Sequence, residues 1–336
     1  MTILRNHSLQ ALNTFGISAK ARYFVEAHTE AELRAAFQQN ITPLLVLGGG
    51  SNMLLTQDFP GLVVKNNLLG KEIVEETSSH VLVRAGAGEN WHEFVLWTLN
   101  RNLGGIENLS LIPGTMGAAP IQNIGAYGVE LRDVFHRLEA MEIATGEVRT
   151  FTAADCQFGY RNSVFKHELK GKYCITRVYL QLTKADHRIN TSYGAIQKTL
   201  AERGIGEPTI RDVSDAVIAI RSSKLPDPAK LGNSGSFFKN PEIEPAQFDQ
   251  LQQAFPDIVS YPGSNGKIKV PAGWLIEQCG WKGQRRGDAG CYEKQALVLV
   301  NYGSATGAEI WQLAQDIAGS VLKKFGIRLQ PEVNVL

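Results

Sequence analysis

Pro113-Gly114-Thr115-Met116-Gly117-Ala118-Ala119-Pro120-Ile121-Gln122-Asn123-Ile124-Gly125-Ala126-Tyr127-Gly128 packs four glycines, three alanines and two prolines into sixteen residues. With so few bulky side chains, backbone can approach a flat or charged ligand closely, whereas an ordinary surface loop is more polar and charged. A second glycine stretch lies upstream. The apolar segment 43–47 reads as a short strand and runs straight into Gly48-Gly49-Gly50-Ser51-Asn52. There several backbone N–H groups can converge as a nest for phosphate oxygens, although a tight turn without ligand would use the same residues. Neither stretch is a standard nucleotide fingerprint. The third glycine of G-x-G-x-x-G falls on Met53 when counted from Gly48 and on Trp91 when counted from Gly86. Gly263-Ser264-Asn265-Gly266-Lys267 has the wrong spacing for a P-loop.

Outward from these loops, strands and helices alternate. Residues 22–27 read as a strand, and Thr29 opens a helix with a capping-box spacing to Glu32, such a cap stabilising by roughly 1 kcal/mol. Residues 61–65 and 80–84 read as strands, and 89–102 as a helix with Trp91, Phe94, Val95 and Thr98 on one face. Segments 134–143 and 147–151 form a hairpin about Thr145-Gly146, and 173–182 is a further strand. The polar stretch 184–192 marks a boundary. Beyond it come helices at 212–223, 272–279 and 308–325, loops at 225–229 and 232–236, and a strand at 295–301. This mixed order predicts an α+β fold with domains 1–187, itself divided near residue 70, and 188–336.

The 336-residue length exceeds one ordinary core, and a net charge of +1 gives no support for nucleic acid or an acidic membrane as partner. Asn6, His7, Gln10 and Asn13 interrupt any apolar leader, and no run of about 18 apolar residues exists. Cys156, Cys174, Cys279 and Cys291 include no Cys-x-x-Cys, so they read as reduced thiols, and no His or Cys grouping has metal-ligand spacing. The expectation is a cytoplasmic protein without a metal.

Taken with Phe158-Gly159-Tyr160-Arg161-Asn162-Ser163, Gly235-Ser236-Phe237-Phe238-Lys239-Asn240-Pro241 and Pro331-Glu332-Val333, the two loops resemble the UDP-N-acetylenolpyruvoylglucosamine reductases. The resemblance runs from about Asn6 to Val333 and keeps the order of the motifs. It implies an FAD-binding domain of the vanillyl-alcohol oxidase type, followed by an α+β substrate domain whose last residues return to the active site. It also implies non-covalent FAD, held by Gly48, Gly49, Gly50, Ser51, Asn52, Pro113, Gly114, Gly117, Ala118, Ala119, Ile121, Asn123, Gly125 and Ala126. NADPH is the implied hydride donor and UDP-N-acetylglucosamine-enolpyruvate the implied substrate in peptidoglycan precursor synthesis, with no obligate protein partner.

In that reaction hydride adds to C3 of the enolpyruvyl group, so negative charge develops at C2 and spreads into the adjacent carboxylate. Such chemistry needs a clamp for the enolate oxygens and an acid for C2. Arg161 is a sound clamp, because guanidinium meets carboxylate bidentately and stays charged. The resemblance gives Glu332 and Ser236 as the other catalytic residues, Ser236 as proton donor. A carboxyl group beside an enolate must be protonated or bridged by a cation or water. A serine hydroxyl is a weak acid that suffices only because the C2 carbanion is very basic. Substrate contacts carry over onto Tyr193, Lys224, Asn240, Tyr261, Lys269 and Gln295, the lysines suiting a UDP pyrophosphate and Tyr193 a closing lid. Two other readings compete: an oxidase on the same FAD fold, disfavoured because 48–54 holds no histidine for covalent attachment, and a binding module without turnover, disfavoured because Arg161, Ser236 and Glu332 occur together.

Overall fold

The computed structural model describes all residues, 1–336. It forms two compact units, neither of them one continuous segment. The first comprises Met1–His7, Ala21–Gly49 and Pro60–Ser223, and the second Ser8–Lys20, Gly50–Phe59 and Lys224–Leu336.

In the first unit a four-stranded sheet has the order Leu4–Ser8, Lys20–Ala27, Phe59–Asn66, Leu44–Leu47. Leu44, Leu45, Val46 and Leu47 pair in parallel with Leu62, Val63, Val64 and Lys65, which aims the end of the short strand into the glycine stretch. The helix Glu30–Phe37 starts with the expected capping box of Thr29 and Glu32 and buries Leu33, Ala36 and Phe37 against Val25, Leu62 and Val64. A five-stranded sheet follows in the order Val148–Thr152, Phe135–Glu142, Tyr173–Thr183, His80–Gly86, Lys71–Glu76. Its hairpin turns at Gly146, whose φ of +75° suits glycine and whose N–H donates to the Glu142 carbonyl. The helix Trp91–Leu99 buries Trp91, Phe94, Val95, Thr98 and Leu99, the face read from their spacing.

Helices Gly194–Glu202 and Ile210–Lys224 complete the first unit; the former had no counterpart in the sequence reading. Together they bury Ile196, Leu200, Val213, Val217 and Ile220. Ile210 joins the core built on Val178, Leu180 and Leu182. By compactness the first unit ends at Ser223, downstream of the polar stretch 184–192. That stretch is a surface strip, while the apolar faces after it pack backward onto the preceding sheet.

The second unit centres on a four-stranded antiparallel sheet ordered Gly232–Ser236, Val298–Asn301, Ala289–Cys291, Arg285–Arg286. All four residues of Val298–Asn301 are buried. Helix Gly307–Phe325 is capped by Thr306 with Glu309 and buries Ile310, Leu313, Ile317, Val321 and Phe325 at helical spacing. A small sheet pairs Glu242–Ile243 and Tyr261–Pro262 with Ile268–Lys269. The terminal strand Asn334–Val335 runs parallel to Met53–Leu54, with Asn334 opposite Met53. No helix is long and apolar enough to cross a membrane.

Candidate active site

Within the first unit, Gly49 meets Gly114 backbone to backbone, and Gly48 faces the Thr115 side chain. A Cβ at Gly48 would stand 2.6 Å from Thr115 Oγ1, and one at Gly49 would stand 2.9 Å from Gly114 Cα. Glycine is required here by proximity rather than by a turn. Anchors on the other side fix 113–117: Gly114 accepts from Trp91 N–H at 3.1 Å, and Met116 and Gly117 donate to the Glu89 and Ala87 carbonyls at 2.9 Å each. Lys65 Nζ donates to the Gly48 carbonyl at 2.5 Å, and burial pushes its ammonium below the ordinary lysine range. A cradle of bare backbone with a part-buried cation beneath it fits the diphosphate and flat ring system of FAD.

Farther along the loop, Asn123 is fully buried with φ +45°, and works as a brace. Its amide donates to Glu130 Oε2 at 2.9 Å and to the Gly159 carbonyl at 3.1 Å, while its oxygen accepts from Arg132 N–H. This ties 123 to the turn bearing Arg161, whose guanidinium donates to the Gly125 carbonyl. Ile121, exposed, accepts from Ser163 Oγ through its carbonyl. Next to Gly125 and Ala126, Tyr127 meets Tyr193 edge to face, ring centroids 5.1 Å apart, and faces the charge of Arg221. Burial lowers the pKa of Arg221 from its usual value, Tyr127 opposes this, and the charge of Arg161 adds to the lowering. Arg161 and Tyr193, distant in sequence, thus belong to one cluster with Tyr127 and Arg221. Tyr127 and Arg221 escaped the sequence reading, although Tyr127 lies inside the quoted glycine segment.

In the second unit, Gly50 has φ +62°, and a Cβ there would fall 1.9 Å from the Leu12 carbonyl oxygen, so only glycine fits. Asn52 donates through Nδ2 to the Glu332 carbonyl at 3.3 Å, and its own carbonyl accepts from Asn334 N–H at 3.1 Å. Glu332 N–H donates to the Phe237 carbonyl at 2.8 Å, and Lys239 N–H to Gln330. The chain end is therefore laid along the segment that follows Ser236, which is itself exposed at the end of its strand. Ser236, Glu332 and Asn52 are brought together.

Gln295 Oε1 accepts from Leu297 N–H at 3.3 Å, just ahead of the strand Val298–Asn301. Asn240 Oδ1 accepts from Ala272 N–H at 2.9 Å, a scaffolding bond at the start of helix Ala272–Gln278. In the small sheet Lys269 lies directly opposite both Tyr261 and Glu242, so the three side chains share one face. Glu242 comes 3.7 Å from Lys269 Nζ and accepts from Ser264 through its N–H, at 3.2 Å, and its hydroxyl. Glu242 was not anticipated, since only strand pairing places it beside Lys269. Lys224 ends its helix, exposed.

An FAD binding domain model matches residues 21–152, and a UDP-N-acetylenolpyruvoylglucosamine reductase C-terminal domain model matches 227–336. With the α+β architecture, these define a flavoprotein oxidoreductase with its FAD-binding domain first, as the motifs led one to expect. A protein from Flavobacterium johnsoniae named UDP-N-acetylenolpyruvoylglucosamine reductase is 54% identical over 337 residues, covering 100% of both chains. One of the same name from Pseudomonas aeruginosa is 52% identical, covering 99% of this chain and 98% of its own. The crystal structure of the Thermus caldophilus reductase shares the fold, with a TM-score of 0.68 at 24% identity over 99% of this chain and 98% of that one. The chain belongs to the UDP-N-acetylenolpyruvoylglucosamine reductase family.

Proposed function

We propose that the protein reduces the enolpyruvyl group of UDP-N-acetylglucosamine-enolpyruvate to UDP-N-acetylmuramate, a step of peptidoglycan precursor synthesis in the cytoplasm, with NADPH as electron source. The observation that supports this most directly is a backbone bond near the chain end: Glu332 N–H donates to the carbonyl of Phe237, the residue that follows Ser236. Bound FAD supplies two-electron hydride chemistry between NADPH and substrate C3. The cradle of Gly48, Gly49, Pro113, Gly114, Gly117, Ala118 and Ala119 would hold it without a covalent bond, with Gly50, Ser51, Asn52, Ile121, Asn123, Gly125 and Ala126 completing or bracing its loops.

Arg161 stabilises the negative charge that develops on the substrate carboxylate as hydride arrives, an electrostatic role that guanidinium fills without proton transfer. Ser236 gives its hydroxyl proton to C2, and Glu332 completes the acid site. Hydride at C3 and a proton at C2 together saturate the double bond. Lys224 and Lys269 meet the pyrophosphate, Tyr261, Asn240 and Gln295 line the sugar nucleotide, and Tyr193 closes over it. On this assignment FAD contacts come from 1–187, and most substrate contacts from 188–336.

An anaerobic absorption experiment tests the whole scheme. Purified protein should be yellow, bleach with NADPH, and regain its colour when the enolpyruvyl UDP-amino sugar is added. Bleaching without recovery would exclude this acceptor, and protein that takes up no FAD would remove the cofactor assignment.

A further inference from the structure

Leu111, two residues before Pro113, has φ +58°. This left-handed conformation is strained for a leucine and persists only where its surroundings over-determine it. Here both backbone polar groups are held by side chains. Leu111 N–H donates to His92 Nδ1 at 3.0 Å, and the Leu111 carbonyl accepts from Arg221 Nε at 3.2 Å. His92 is the second residue of helix Trp91–Leu99, and Arg221 lies on helix Ile210–Lys224, so two helices remote in sequence grip one residue.

The same helices hold the flanking residues. Trp91 donates through Nε1 to the Leu109 carbonyl at 2.9 Å and through its backbone N–H to Gly114 at 3.1 Å. Ser110 Oγ pairs with Ser214 Oγ at 2.8 Å. The direction of the chain at Leu111 therefore decides where Gly114 stands, and Gly114 is the atom group that Gly49 approaches so closely. For Nδ1 to accept, the ring must be neutral with its proton on Nε2. Burial lowers the His92 pKa from its usual value, opposed by Glu93 and reinforced by Arg221, and so keeps that lone pair available.

We propose that His92 is a positioning residue for the flavin loop: its Nδ1, with Arg221, locks Leu111 left-handed and so pre-sets 113–117 for the cofactor. This rests on the assignment of 113–117 to FAD made above. A glycine at 111 would adopt the same φ unaided, whereas leucine needs the brace.

The test is FAD titration of the apoprotein for wild type, His92→Ala, His92→Asn, Leu111→Gly and the double variant, with circular dichroism to verify folding. Losing the brace in His92→Ala should weaken FAD binding about tenfold, because Leu111 can then relax out of its left-handed conformation and carry 113–117 with it. His92→Asn can place its amide oxygen where Nδ1 stands and should recover most of that loss. In the Leu111→Gly background, removing His92 should change the affinity less than about twofold, because the coupled partner no longer needs it. Equal losses in both backgrounds, or no recovery by asparagine, would mean that His92 merely packs its helix, and would overturn the proposal. Wild-type protein that takes up no FAD would sink the flavin assignment and this proposal with it.

Discussion

Adding one methyl group at Gly49 asks directly whether 48–49 and 113–117 form a cradle for FAD. The new Cβ in Gly49→Ala would lie 2.9 Å from Gly114 Cα and 3.3 Å from its carbonyl carbon. Carbon atoms in comfortable contact stand about 3.5–4.0 Å apart, so roughly 0.5–1 Å must be found. Gly49 has no positive φ, and the cost is therefore steric rather than conformational. Gly114 cannot yield cheaply, because Trp91 N–H holds its carbonyl from behind. Overpacking of this kind costs roughly 1–3 kcal/mol. If most of it falls on the loop geometry that binds the cofactor, the dissociation constant of FAD should rise about 5- to 150-fold, since 1.4 kcal/mol corresponds to a factor of ten. The assay is titration of apoprotein with FAD, followed by the change in flavin fluorescence. Gly319→Ala, on a helix with nothing within 4 Å of the added atom, is the control and should leave the affinity unchanged. An affinity for Gly49→Ala within twofold of wild type, with the protein folded, would refute the cradle.

Three further outcomes follow from particular groups. Ser236→Ala should leave bleaching by NADPH intact but slow colour recovery with substrate by about 10²–10⁴-fold in stopped flow, and an unchanged second phase would remove Ser236 from proton transfer. The lowered pKa of His92 makes the folded state bind fewer protons than the unfolded chain, in which the ring titrates near 6.5. This contribution to stability is full above 6.5 and is lost as pH falls from there through the lower folded value; His92→Asn should flatten that part of a denaturation-midpoint profile. Cys156, Cys174 and Cys291 are buried, and burial pushes their thiols up to about 12, whereas Cys279 is only half-buried. A colorimetric thiol reagent should therefore titrate at most one cysteine in the native protein and four after denaturation.

Much of the architecture was legible from local signals. The capping box at Thr29 and Glu32, the apolar face of Trp91, Phe94, Val95 and Thr98, and the turn at Gly146 act over a few residues, and the structure has each where its spacing places it. The strand 295–301 contracted to Val298–Asn301, because Gln295 to Leu297 forms a turn closed by the Gln295 amide oxygen. Helix Gly194–Glu202 was missed: it is short and buries only Ile196 and Leu200.

By itself, then, the sequence determined which segments curl or extend, and where backbone is left bare enough for a ligand. Both depend on sterics and periodicity within a few residues of each position. Tertiary structure alone decided that Glu242 shares a face with Lys269 and Tyr261, that the chain end lies beside Phe237 and Asn52, and that Leu111 is held left-handed by His92 and Arg221. These depend on strand register and on packing between separate segments, which no preference of adjacent residues sets. Such contacts form only once the cores of the units have closed and fixed which backbone groups face each other.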